Sequence, residues 1–275
     1  MLAFFQSEPV QVALMLSGAA ALTCGALGLF TVLRGQAFAG HALADVSSAG
    51  GAGSLLFGLS PLLGFLLLGI AGVGVLEILQ PRRAAARDEA AGILLGAGLG
   101  LTALLLHFCL TGHGASGAAQ AVMFGAMFSA PPGVVGWACL LAGCCLMVLG
   151  LIARPLLLAS LEPEMAAVSG VSVRLLGVLF LLLLALGMTL ASMTVGAILA
   201  TSLLIGPPVA ALRLVKGPIG AAVLSILLGL AACWGGIALA YVSYGWTPGR
   251  TWPVSFFIVV LLLVFYAGAS LRRRV

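Results

Sequence analysis

The chain has 275 residues, 63% of them hydrophobic and only 7% charged, with a mean hydropathy of +1.27. This balance excludes a soluble domain, whose surface needs far more charge, and matches a chain made of apolar runs long enough to cross a bilayer. The formal charge of +5 is no nucleic-acid footprint, because the basic residues lie in short clusters between apolar runs, as they do in membrane loops.

Lipid offers no partner to unpaired backbone groups, so the expected fold is all-α, a polytopic membrane protein. About nine spans are predicted (eight to ten are compatible with the pattern), forming one membrane domain over residues 1–275. In chain order they cover roughly residues 11–33, 38–58, 61–79, 91–111, 133–153, 173–193, 195–212, 218–241 and 252–271. The second carries charge and much glycine, and the junction at 193–195 is tight, so a re-entrant or broken helix at either place would change the count. The opening MLAFFQSEPV lacks a basic n-region and a cleavage signal, and no removable signal peptide is expected.

The loops set an orientation. Arg34, the PRRAAARDE segment at 81–89, residues 154–174, Arg213 with Lys216, and Arg272, Arg273 and Arg274 fall on one side of this topology. Arg250 alone among the twelve basic residues falls on the other. The positive-inside rule then places the N-terminus outside and the C-terminus in the cytoplasm. On the outer side, TGHGASGAAQAVMFGAMFSAPPG reads as a loop followed by a short helix, and SYGWTPGRTWP as a turn-rich loop with Trp246 and Trp252 at the interface.

Glycine recurs at helix-packing spacing. Gly92, Gly96 and Gly100 form a double GxxxG, and Gly64, Gly69, Gly72 and Gly74 line another span, so close helix approach is expected at both. The six cysteines, Cys24, Cys109, Cys139, Cys144, Cys145 and Cys233, form no CxxC pair and read as small buried hydrophobes.

The second span, FAGHALADVSSAGGAGSLLFG, holds the main polar constellation. His41 and Asp45 are four residues apart and share a helical face. An aspartate inside the membrane costs about 2.5–3.5 kcal/mol on insertion scales, which makes a functional role the default expectation. An imidazole nitrogen with a carboxylate oxygen is a ligand set that zinc or manganese accepts. The competing reading pairs the two side chains with each other or uses them to cap a helix. Ser47, Ser48 and the following glycines would let a second helix or chain come close. His107 and His113 flank the outer end of the fourth span, as interfacial or loop residues or as groups that help a metal ion in.

On the cytoplasmic side, ARPLLLASLEPEMAAVSGVSVR over 153–174 sets Glu162 and Glu164 around Pro163, which suits the start of a short helix. It is either a solvated connector or a docking helix for a cytoplasmic motor. The stretch LEPEMAAVSGVSV resembles the FDPE-A-A-x-GV segment of the zinc/manganese-type ABC importer permeases. TVGAILATSLLIGPPVAALRL at 194–214 is similar to that family's VGALLVSALLIIPAATARLL. TVLRGQAFAGHALADVSSAGGAGSLLFG at 31–58 resembles its LRRMSFFGDALSHAVLPGVALAYLLG, and MFGAMFS at 123–129 lies between these two in register.

The resemblance implies a homodimeric permease that imports a divalent transition metal, zinc or manganese, across a bacterial inner membrane, with no permanently bound cofactor. It also implies a cytoplasmic ABC ATPase, an extracytoplasmic metal-binding protein, and a coupling helix carrying Glu162, Pro163, Glu164 and Gly170. The chain departs from the family in one respect: His41 precedes Asp45, whereas the relatives have aspartate first and histidine four residues later. Ser-Ala-Gly also replaces the usual Leu-Pro-Gly.

Two other classes compete with this reading, an intramembrane protease and a secondary transporter. The sole lysine, Lys216, precedes Gly217 and Pro218, so no GxxxxGK[ST] loop exists and ATP hydrolysis must come from another chain. Gly114-Ala115-Ser116-Gly117 matches the GxSG of intramembrane proteases, but no histidine follows His113 to activate Ser116, and HExxH is absent. A proton- or sodium-coupled secondary transporter working through Asp45 would need no ATPase, and its halves often repeat, which this sequence does not show.

Overall fold

The computed structural model describes residues 7–79, 84–113, 117–243, 245 and 252–272, and among them it is all helix and connecting turns. The side chains of His113, Ser116, Trp246, Arg250, Arg273 and Arg274 lie outside the described residues.

Among the described residues, eleven helices follow in order: α1 (Glu8–Leu33), α2 (Ala37–Phe57), α3 (Pro61–Leu79), α4 (Ala84–His113), α5 (Ala118–Phe124), α6 (Pro132–Leu161), α7 (Pro163–Val168), α8 (Val173–Thr194), α9 (Ala197–Leu214), α10 (Pro218–Ser243) and α11 (Val254–Arg272). Eight of the long ones are apolar enough to cross a membrane by length and composition. The ninth, α2, is too rich in polar and small residues to meet that measure. It is nevertheless one continuous helix of 21 residues, about 31 Å long at 1.5 Å per residue. Shielding by its neighbours, rather than its own hydropathy, is what accommodates it.

Prolines set many of the starts, at α3, α7 and α10 and in the first turn of α1 and α6, where a missing N–H removes no intrahelical bond. Ser172 begins α8 by accepting the Leu175 N–H at 3.4 Å. Two expected boundaries move. The PRRAAARDE segment is helical from Ala84 onward, and α6 runs unbroken through Arg154 and Pro155 to Leu161 instead of ending near 153. The tight junction is real: only Val195 and Gly196 separate α8 from α9.

α2 packs against α3, α4, α8 and α9, while α1 packs against α6, α8, α9 and α10, so α8 and α9 bridge two groups of helices. Large apolar side chains point outward all round, among them Leu67, Ile78, Ile93, Leu151, Ile219 and Leu263. Such a surface suits hydrocarbon, whereas the buried layer holds hydroxyls such as Thr23, Ser48, Thr102 and Ser225.

Close helix approach occurs, but partly through other glycines than those anticipated. A Cβ on Gly50 would lie 1.9 Å from the Gly64 carbonyl oxygen, and one on Gly64 would lie 2.2 Å from that of Gly50. This crossing of α2 on α3 fulfils the expectation for the glycines after Ser48. The double GxxxG of α4 does not serve this purpose within the chain, since Gly92, Gly96 and Gly100 face open space. Gly98, on the opposite face, lies against α2, where an added Cβ would stand 2.9 Å from the Val46 nitrogen and 3.0 Å from the Asp45 carbonyl carbon. Gly50→Ala is therefore expected to force α2 from α3 and lower stability by ~1–3 kcal/mol. Thermal unfolding in detergent would register it, and an unchanged midpoint would mean the helices part easily. Cysteine burial also divides: Cys24, Cys109, Cys145 and Cys233 are buried, whereas Cys139 and Cys144 are exposed on α6.

The two ends of the bundle differ as the charge pattern requires. At one end Arg34 reaches Ser160 at 3.5 Å and lies over the Phe180 ring. There too Arg174 pairs with Glu77 at 2.8 Å, and Arg213 bonds Tyr266 and Ser270. α7 is at this end. The other end holds α5, the Val195–Gly196 link and the start of α11, tied together by the Ser255 hydroxyl, which lies 2.6 Å from the Phe124 carbonyl and 2.9 Å from that of Val195.

Candidate functional site

α2 carries the polar pair, with His41 in its second turn and Asp45 one turn further on. His41 Nε2 lies 3.8 Å from Asp45 Oδ2, too far for a hydrogen bond. Two metal bonds of about 2.0–2.2 Å would span that gap around one shared ion, with the ligand atoms well apart. His41 is 33% exposed and Asp45 only 1%, so the imidazole faces the outside of the chain with the carboxylate behind it.

The surroundings satisfy the backbone of Asp45 and neglect its carboxylate. Ser48 donates to the Asp45 carbonyl at 2.7 Å and lies 3.0 Å from the Thr102 hydroxyl of α4, which also approaches that carbonyl at 3.3 Å. Oδ2 of Asp45 is buried with no hydrogen-bond partner. A lone carboxylate oxygen in such a place is costly unless a cation or proton meets it. The two side chains stand close enough for an ion pair when His41 is protonated, but no hydrogen bond joins them. Capping does not account for them, since His41 and Asp45 lie inside α2 and not at its ends.

His41 also has a partner that the sequence did not announce. Its Nδ1 lies 2.6 Å from the Thr201 hydroxyl of α9. The available signal was the Thr201-Ser202 pair interrupting an otherwise apolar run. Nearby, Leu204 fills the space that a side chain on Gly40 would take, so α2 and α9 touch at this level. A cavity of about 330 Å³ between α9 and α11 reaches Thr201 and Ser202.

Among the described residues no three or more His, Cys, Asp or Glu side chains gather where they could hold a metal. His107 accordingly does not join the pair; it sits near the C-terminal end of α4, with its ring 5.9 Å from that of Phe108. A larger cavity, of about 610 Å³, lies beside Phe124, Tyr241 and Trp252, and none of these four residue types lines it. Among the described residues, this pair could offer two ligand atoms but not a closed site.

The second element is α7. Glu162 ends α6 and begins α7, its N–H bonding the Leu158 carbonyl at 2.8 Å and its carbonyl accepting from Ala166 at 3.0 Å. At the far end the Gly170 N–H bonds the Ala167 carbonyl and the Val171 N–H the Ala166 carbonyl, a reversal that requires the positive φ of 79° at Gly170. Ala166 is buried, while Glu162, Pro163, Glu164, Met165 and Val168 are exposed. The result is a short rigid knob with an acidic start and an apolar tip.

The profile of the ABC 3 transport family matches residues 6–269. The manganese transport system membrane protein MntC of Halalkalibacterium halodurans is 30% identical over 219 residues, covering 79% of this chain and 71% of that protein. The manganese import system permease protein ScaB of Streptococcus gordonii is 26% identical over 269 residues, 97% of this chain and 95% of that one. In fold, the chain resembles PsaBC from Streptococcus pneumoniae, solved in complex with Fab, with a TM-score of 0.81 at 22% identity over 98% of this chain and 95% of that one.

Proposed function

Because the chain belongs to the ABC 3 transport family, we propose that it is the membrane-spanning subunit of a bacterial importer for manganese, with zinc as the second candidate. The manganese assignment is supported by the names of the relatives MntC and ScaB. The observation that supports the metal pathway is Asp45 Oδ2, buried with no hydrogen-bond partner, beside the partly exposed His41 ring.

Each protomer offers two ligand atoms. Two protomers meeting along the His41 face would offer up to four, an open and transient shell that suits an ion which must leave again. A partner ATPase would hydrolyse the ATP, a reading supported by the match to an ABC transport family and by a sequence without a GxxxxGK[ST] loop. That partner would grip the exposed face of α7, and a metal-binding protein would deliver the ion at the opposite end. His107 and His113 stand near that end as groups that help the ion in. The clustering of Arg34, Arg174 and Arg213 with α7 at one end supports a cytoplasmic position for that end, with the N-terminus outside.

Reconstitution tests the assignment. Liposomes holding the permease and its ATPase should accumulate Mn²⁺ only when ATP is supplied. Uptake driven by a proton or sodium gradient without the ATPase would instead establish a secondary transporter. Orientation is tested by impermeant thiol labelling of a variant without native cysteines. A cysteine at position 85 should react only after the membrane is opened, and labelling in intact cells would reverse the topology.

A further inference from the structure

We propose that Thr201 is a positioning residue for the metal pathway, holding the His41 ring from α9 so that Nε2 is presented toward Asp45 Oδ2 in both the loaded and the empty state. The inference rests on the reading of His41 and Asp45 as that pathway. Its basis is the 2.6 Å contact between Thr201 Oγ1 and His41 Nδ1, together with the 3.8 Å separation of His41 Nε2 from Asp45 Oδ2.

A neutral imidazole has one nitrogen that donates and one that accepts. When Nε2 binds a metal its lone pair is used, the proton resides on Nδ1, and the partner of Nδ1 must accept. When the metal leaves, the proton can return to Nε2, facing the Asp45 carboxylate, and the partner of Nδ1 must then donate. A carbonyl or carboxylate can only accept, which fixes the metal-binding tautomer, as is usual where a metal is held permanently. A hydroxyl rotates to donate or accept, so Thr201 can serve both tautomers and the ring keeps its place while the ion comes and goes. The partner also lies on a different helix, which makes the ring's orientation depend on α9 staying against α2. The contact of Leu204 with the open side of Gly40 fixes that juxtaposition at the same level.

The test measures ATP-driven Mn²⁺ uptake by the permease–ATPase complex in liposomes for wild type, Thr201→Val, Thr201→Ser, His41→Ala and the His41→Ala/Thr201→Val pair. Valine keeps the shape and removes the hydroxyl. Thr201→Val should raise the KM for Mn²⁺ about 10–100-fold, the usual effect of losing a ligand's supporting hydrogen bond, with complex assembly unchanged. Thr201→Ser should restore a near-normal KM, and the double variant should be no worse than His41→Ala alone. A normal KM in Thr201→Val beside a defective His41→Ala would overturn the positioning role while leaving the pathway standing. Failure of serine to rescue, or a further loss in the double variant, would assign Thr201 to packing. Normal uptake by His41→Ala would remove the pathway reading and the role of Thr201 together.

Discussion

Asp45→Ala and His41→Ala are each expected to reduce metal uptake by at least about 100-fold, the upper end of what losing a mere supporting group costs, while leaving insertion and ATPase binding intact. The argument is one of ligand number. A chain that contributes two ligand atoms loses half its share with either substitution, and no third His, Cys, Asp or Glu stands near enough to substitute among the described residues. Stability should move the other way for Asp45, whose Oδ2 has no hydrogen-bond partner: its removal deletes a buried polar atom without breaking a hydrogen bond. Lost transport with an unchanged or raised unfolding midpoint is thus the expected pattern. The exchange His41→Asp with Asp45→His recreates the order seen in the related permeases and should retain more uptake than either alanine variant. Wild-type uptake in both alanine variants would make the pair structural.

Reversing charge at Glu162 and Glu164 together should abolish ATP-driven uptake while membrane insertion remains normal. Both side chains are exposed at the start of α7, and only Ala166 of that helix is buried. The substitution consequently alters the surface offered to a partner and little of the fold that presents it. Co-purification with the ATPase separates the two ways of failing. Loss of the complex places the glutamates in docking, and an intact but idle complex places them in coupling. Full transport at normal expression would leave α7 as a solvated connector.

Much of this architecture was legible in the sequence because hydrophobic length and charge asymmetry act locally. The spans, the short helix Ala118–Phe124, the short helix after Glu162 and the gathering of basic side chains at one end all follow from such signals. What was not legible depends on which face of a helix meets which neighbour. The spacing of Gly92, Gly96 and Gly100 is the same whether that face meets a helix or the bilayer, and here the contact runs through Gly98. Cys139 and Cys144 face outward for the same reason: burial along α6 is decided by rotation about its axis. The His41–Asp45 pairing on one face was visible from spacing alone. Thr201 was not, because 160 residues separate it from His41 and only the packing of α9 on α2 joins them.

The central claim, that a metal ion passes in contact with His41 and Asp45, is tested most directly by observing the ion itself. Electron spin-echo spectroscopy of Mn²⁺ bound to the purified permease–ATPase complex reports nitrogen nuclei in the metal's coordination shell. The account predicts imidazole nitrogen modulation in the wild type that disappears in His41→Ala. Modulation that persists unchanged in His41→Ala, or bound Mn²⁺ with no nitrogen neighbour in the wild type, would contradict it.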